Sequence, residues 1–188
     1  MKSFSNIEIY TFENDVWYKT STGEQKKLDV ADRDFVRYMI EHISEFYPKA
    51  FEALQDKYKR LSDNIAFYQY KIVWMFCKCN FGIIDNVKDV DSEGGMHFEY
   101  ISCPLRGECL LEGVVCNPVF NSKISESENR VLRLLFNGAE KKDIAERLCI
   151  SIHTVNNHIR NAYKRIGVHE KAEFISYANK HNIYGSEE

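Results

Sequence analysis

Residues 151–168 read SIHTVNNHIRNAYKRIGV and hold three Lys/Arg and two His, but no Asp or Glu. Val155, Ile159, Ala162 and Ile166 recur at steps of four, three and four, which is the spacing of one apolar stripe on an α-helix. Asn156, Asn157, Arg160 and Lys164 fall on the other face. The pattern predicts a helix with one side in a core and the other side polar, exposed and free of negative charge. The chain around it is mildly acidic, with 25 Lys/Arg against 28 Asp/Glu, so the missing acids are a local feature. Residues 121–188 carry 11 Lys/Arg and 9 Asp/Glu, and residues 1–120 carry 14 and 19. Neither half is basic enough to hold nucleic acid by bulk charge, so such a function must rest on local placement.

The residues before this stretch supply a partner helix. Val131, Leu132, Leu134, Leu135 and Phe136 form an apolar stripe. Ser125 or Ser127 can cap its start, Ser125 with Glu128 fits capping-box spacing, and Gly138 is placed to end it. A short helix, KKDIAERLC, then buries Ile144, Ala145 and Leu148, and Ser151 caps the next one. Cys149 lies inside this unit and is expected to be packing. Two helices with a tight joint, the second basic and acid-free, match helix-turn-helix geometry. On its polar face Asn can pair with adenine and Arg with guanine. Hydroxyls, amides, Lys and helix N-termini can hold phosphates. The competing reading of that face is an ordinary solvated surface.

Residues 124–173 resemble the LuxR/GerE-type DNA-binding domain. The resemblance rests on Glu128, Val131, Leu132, Gly138, Lys142, Ile144, Ala145, Leu148, Ile150, Ser151, Thr154, Val155, His158, Asn161, Gly167 and Val168 at the family's spacings. It implies a four-helix module that binds double-stranded DNA, mostly as a homodimer paired through its last helix, here HEKAEFISYANKHNI (169–183). It implies that Asn156, Asn157 and Arg160 face base edges, and that Thr154, His158 and Lys164 lie nearer the backbone. Three positions depart from the family pattern: Ser127 where Arg is usual, Asn156 where Lys is usual, and Glu140 in place of a Ser/Thr cap.

The first 120 residues resemble nothing so specific. IEIYTFEND and VWYKTST (7–22) read as one or two short strands. Phe35, Tyr38, Met39, His42, Ile43 and Phe46 predict a helix ending at Pro48, and Phe51, Leu54 and Tyr58 predict another to about Leu61. The stretch 64–82 is apolar almost all round, and its aromatic and β-branched content leans to strand. Residues 87–95 read as a turn or loop and 96–103 as a strand, so 67–79 is expected to pair with 96–103 in a hairpin. The Ser- and Asn-rich run 120–129 places a domain boundary near residue 121. The expected architecture is an α+β N-terminal domain (1–120) with a small antiparallel sheet. It is followed by an all-α, four-helix, helix-turn-helix domain (121–188).

Five of the six cysteines lie between residues 77 and 116. Cys79, Cys103, Cys109 and Cys116, among Gly82, Pro104, Gly107, Gly113 and Pro118, are candidate ligands of one metal centre. No C-x2–4-C knuckle of a structural zinc site is present, and a Cys-Pro step is compatible with an iron–sulfur cluster. Both centres stay open, beside the bland alternative of small buried hydrophobes. His97 is a substitute ligand, Arg106 either steadies a thiolate-rich centre or is simply exposed, and Cys77 and Cys79 would share a face on a strand.

These features define the expected function. No run of 18 apolar residues exists, and MKSFSNIEIY lacks a signal peptide's basic and apolar regions, so the expected compartment is the cytoplasm, with no membrane partner. The expected protein is a sequence-specific transcription regulator with an N-terminal sensory domain, responsive to metal, redox, a small ligand or a protein partner. A phospho-acceptor receiver is excluded by the missing acidic pair, central Asp and late Lys-Pro. An acyl-homoserine-lactone pocket lacks its Trp/Tyr/Asp pattern. A pure interaction module remains an alternative. An enzyme is not expected: His42 sits on an apolar helix face, and no motif places a His/Asp partner for Cys103 or Cys109.

Overall fold

The computed structural model describes residues 4–85, 87–92, 94–181 and 183–184. Glu93, within the expected loop 87–95, and Asn182, within the expected last helix, lie outside them. The chain divides into two compact units, Met1–Val119 and Phe120–Glu188. Among the described residues no helix is long and apolar enough to cross a membrane.

The first unit opens with an antiparallel sheet of β1 (Glu8–Phe12), β2 (Asp15–Lys19) and β3 (Gln25–Lys27), in that order. Phe12 pairs with Asp15, so two residues make the first turn. Both of them, Glu13 and Asn14, have positive φ (48° and 72°), the type I′ geometry whose twist matches the flanking strands. β3 lies beyond the expected 7–22. It is short and polar, so no alternation marks it.

Helix α1 (Arg33–Phe46) buries Phe35, Val36, Met39 and Ile43 on one stripe. Pro48 then takes the first position of α2 (Pro48–Tyr58), where its missing N–H costs nothing. Leu54 of α2 is buried, and Phe51 and Tyr58 are half-buried.

The stretch expected to be a strand is helix α3 (Ile65–Asn80). Asn64 caps it, its side chain accepting from Phe67 N at 3.1 Å. α3 packs on α1, α2, β1 and β2, and neighbours on so many sides leave few polar positions to reveal its period. The expected hairpin is therefore absent. Residues 97–103 are no strand either, and Met96 joins Val90 in an isolated bridge. On a helix Cys77 and Cys79 do not share a face: Cys77 is fully buried in the core and Cys79 is half-buried.

Two buried carboxylates tie the loop after α3 to β1. Asp85 N donates to Glu8 at 2.5 Å, and Ile9 N donates to Asp89 at 2.5 Å. Glu8 is 1% exposed and Asp89 4%. Burial pushes the Asp89 carboxyl up to about 8; the Ile9 hydrogen bond opposes this, and Glu99, Glu8 and Asp85 add to it. An unfolded Asp titrates near about 3.9. Between those values the folded chain keeps a proton that the unfolded chain has lost. This contribution to stability is full below about pH 4 and falls as pH rises towards 8, by at most about 1.4 kcal/mol per unit. Thermal melts should show a steeper loss between pH 5 and 8 for the wild type than for Asp89→Asn, which still offers Ile9 an oxygen. Equal slopes would mean that Asp89 ionises normally.

Candidate nucleic-acid interface

The second unit is all helical: α4 (Glu126–Phe136), α5 (Lys141–Arg147), α6 (Ile152–Ile166) and α7 (Lys171–Lys180). α4 starts on a full capping box between Ser125 and Glu128. Gly138 follows the helix with φ 86°, a left-handed residue that suits Gly. The joint between α5 and α6 also needs a left-handed residue, and here it is Cys149, with φ 54°. Ile150 N donates to Ala145 O at 3.0 Å and closes the end of α5. Cys149 is consequently exposed, not packed as expected, because the turn points its side chain away from the core.

Helix α6 is defined at both ends by its own residues. Ser151 Oγ accepts from Thr154 N at 3.0 Å, and Gly167 (φ 75°) ends the helix. Val155, Ile159, Ala162 and Tyr163 are buried against Val131, Leu132, Leu135, Ile144 and Phe174. Burying side chains of this size stabilises by about 1.5–3 kcal/mol each, which fixes which face of α6 looks outward. Ile166 is half-buried at the edge of that core.

Asn156, Arg160 and Lys164 are exposed, one turn apart, on the opposite face. Asn157 is half-buried and accepts from Arg160 Nη2 at 2.9 Å, so the guanidinium is already oriented. Thr154 and His158 are half-buried on the flank, with Thr154 Oγ1 2.8 Å from Ser151 Oγ. His153 is exposed, and its place three residues before Asn156 puts it on the same face. Sequence reasoning passed over it, although helical spacing from Asn156 and Arg160 would have found it. A concavity of about 550 Å³ runs beside this face, lined by Lys141, Asn156, Arg160, Lys164 and His169 among others. Lys141 and His169 come from other segments, so no pattern within α6 could include them. Phosphate oxygens and base edges both suit such donors.

One further contact holds α6 in place. Arg165 pairs with Glu128, which is 3% exposed and also accepts from Ser125 N and Oγ at 2.8 and 2.7 Å. Burial alone would push the Glu128 carboxyl up; the hydrogen bonds from Ser125 and Arg165 outweigh it and hold the group below its usual range. The capping box was legible in the sequence, but its tie to Arg165 was not.

Helix α7 puts Phe174 and Ala178 into the core of the unit, and Ile175 and Tyr177 pack partly against it. Much of the apolar surface expected to serve pairing is therefore used inside the domain.

The cysteines form a second candidate site. Cys79, Cys103, Cys109 and Cys116 are free and half-buried. Burial first, then Cys116, Cys103 and Cys109, push the Cys79 thiol up to about 12, and Cys116 is raised as well. Among the described residues no group of three or more His, Cys, Asp or Glu stands in an arrangement that could hold a metal ion. The substitute ligand His97 is engaged elsewhere, 3.2 Å from Asp91. Arg106 spans the loop, pairing with Glu112 at 3.3 Å, donating to Ile101 O at 2.8 Å and lying over the Tyr100 ring.

Four helices, a tight joint and an outward acid-free helix define a helix-turn-helix domain. Residues 122–178 match the family of bacterial regulatory proteins of the luxR type, also called GerE, and are a helix-turn-helix domain of that family. The same region is 40% identical over 60 residues to the Fimbriae Z protein of Salmonella typhimurium. It is 37% identical over 60 residues to the Fimbriae Z protein of Escherichia coli K12. Each match covers 32% of this chain and 29% of the relative's length. No solved structure matches the chain.

Proposed function

We propose that this protein is a sequence-specific, DNA-binding regulator of transcription that lays α6 in the major groove. The reading is carried by the placement of Asn156, Arg160 and Lys164 on successive exposed turns of a helix whose other face is locked into a core. The LuxR-family match over residues 122–178 supports it. Asn156, Asn157 and Arg160 read base edges, and Thr154, His158 and Lys164 hold phosphates. Two copies act together on a palindromic site, with half-sites about one helical turn apart. Residues 1–120 receive the signal or partner that sets this binding and catalyse no reaction. The protein works in the cytoplasm.

Selection from random duplexes should enrich one motif. On that motif Arg160→Ala should cost about 1–3 kcal/mol and relax the base preference. Lys164→Ala should weaken every duplex alike and reduce the salt slope by about one. Enrichment of no motif overturns the reading. Sedimentation of the complex on the enriched duplex counts the copies, and a single copy on a palindrome would remove the dimer.

A further inference from the structure

Residues 99–117 form a loop tied at both ends to one residue, Asn80, which is 0% exposed. At the near end Glu99 N donates to Asn80 O at 2.9 Å. At the far end Asn80 Nδ2 donates to Val115 O at 2.8 Å, and Asn80 Oδ1 accepts from Asn117 N at 2.7 Å. Cys79 precedes Asn80 and Cys116 lies between Val115 and Asn117, so this clamp seats the two cysteines side by side. Turns fold the remainder inward: Arg106 N donates to Cys103 O, Cys109 N to Leu105 O and Glu112 N to Cys109 O. Leu111 O in turn accepts from Val115 N at 2.9 Å, so Cys103, Cys109 and Cys116 follow one another through a run of consecutive turns.

The loop has no strand or helix, and Val115 is its one buried residue between 101 and 117. Two of its three leucines face solvent, Leu110 at 95% exposed and Leu105 at 58%, while Leu111 is half-buried. Cys103, Cys109 and Cys116 are each half-buried. A loop using cysteine as a mere small hydrophobe would bury leucine first, since leucine has far more apolar surface to remove from water. Cys77 shows what the bland role looks like, fully buried within α3. A segment this poor in buried surface needs another source of cohesion, and small domains commonly take it from a metal.

We propose that Cys79, Cys103, Cys109 and Cys116 are the four ligands of one metal site for a soft, thiophilic centre, either Zn²⁺ or an iron–sulfur cluster. Thiolate sets select such centres, and both accept four cysteines. Loading draws the turns at Cys103, Cys109 and Cys116 onto Cys79, and each coordinating thiol gives up its proton to water. The site is independent of DNA binding by α6 and stands or falls separately from it.

The test uses the full chain purified without oxygen. Zinc, iron and acid-labile sulfide are measured, and metal-free protein is titrated with Co²⁺ as the probe. The expected result is bound zinc, or iron with sulfide and a broad visible absorbance; the two outcomes separate the centres. Co²⁺ should give thiolate charge-transfer absorbance. Cys149 should react with a thiol reagent before and after metal removal, and the four ligand thiols only after it. Cys103→Ser and Cys109→Ser should each lose metal, and Cys149→Ser should keep it. The wild-type titration stays decisive even where a variant fails to fold. Wild-type protein that gives no charge-transfer absorbance overturns the proposal. So does metal held equally well by both serine variants.

Discussion

Phe174→Ala is expected to unfold the C-terminal unit and abolish DNA binding with it. The Phe174 ring is fully buried at the meeting point of the helices. Its centroid lies 5.6 Å from Tyr163 of α6, 6.5 Å from Phe136 of α4 and 6.3 Å from Tyr184. Truncating a buried Phe to Ala costs about 3–5 kcal/mol, from lost transfer energy and the cavity left behind. A unit the size of Phe120–Glu188 has about 3–10 kcal/mol in all, at about 0.05–0.15 kcal/mol per residue. The substitution therefore removes much or all of it. A loss of about 3 kcal/mol lowers the melting temperature of so small a domain by more than about 12 °C. Hydrogen exchange on the full chain should show α4, α6 and α7 losing protection while α1 and α3 keep theirs. Retained protection across α6 would show that the aromatic cluster is not the anchor of the recognition helix.

Asn80→Ala should have the second largest effect, and it should be local. The Asn80 side chain donates to Phe76 O at 2.9 Å and to Val115 O, and accepts from Asn117 N. Truncation orphans the carbonyl of a fully buried Val115 and the Asn117 N–H. Each costs about 1–3 kcal/mol when water cannot replace the lost partner. The helix itself keeps its backbone ladder, so the loss falls on the loop. Residues 99–117 should become sensitive to limited proteolysis, and α3 should remain protected. Unchanged cleavage of the loop would mean that other contacts close it.

The C-terminal unit was largely legible in the sequence because its signals are local. The period of Val155, Ile159 and Ala162, the caps Ser125, Glu128 and Ser151, and the glycine at 138 each act within a turn or two of chain. The absence of acids between residues 151 and 168 is likewise a property of the string itself. Tertiary structure decided the rest. Residues 64–82 carry strand-forming residue types, yet they form α3, because packing against two helices and two strands overrides weak local preference. Glu128 needs Arg165, which lies 37 residues away. The loop that carries Cys103, Cys109 and Cys116 is tied back to the end of α3 through the long-range hydrogen bonds of Asn80, 35 and 37 residues distant. Such partners leave no periodic trace, because the chain between them is free to vary while the contact is made in space.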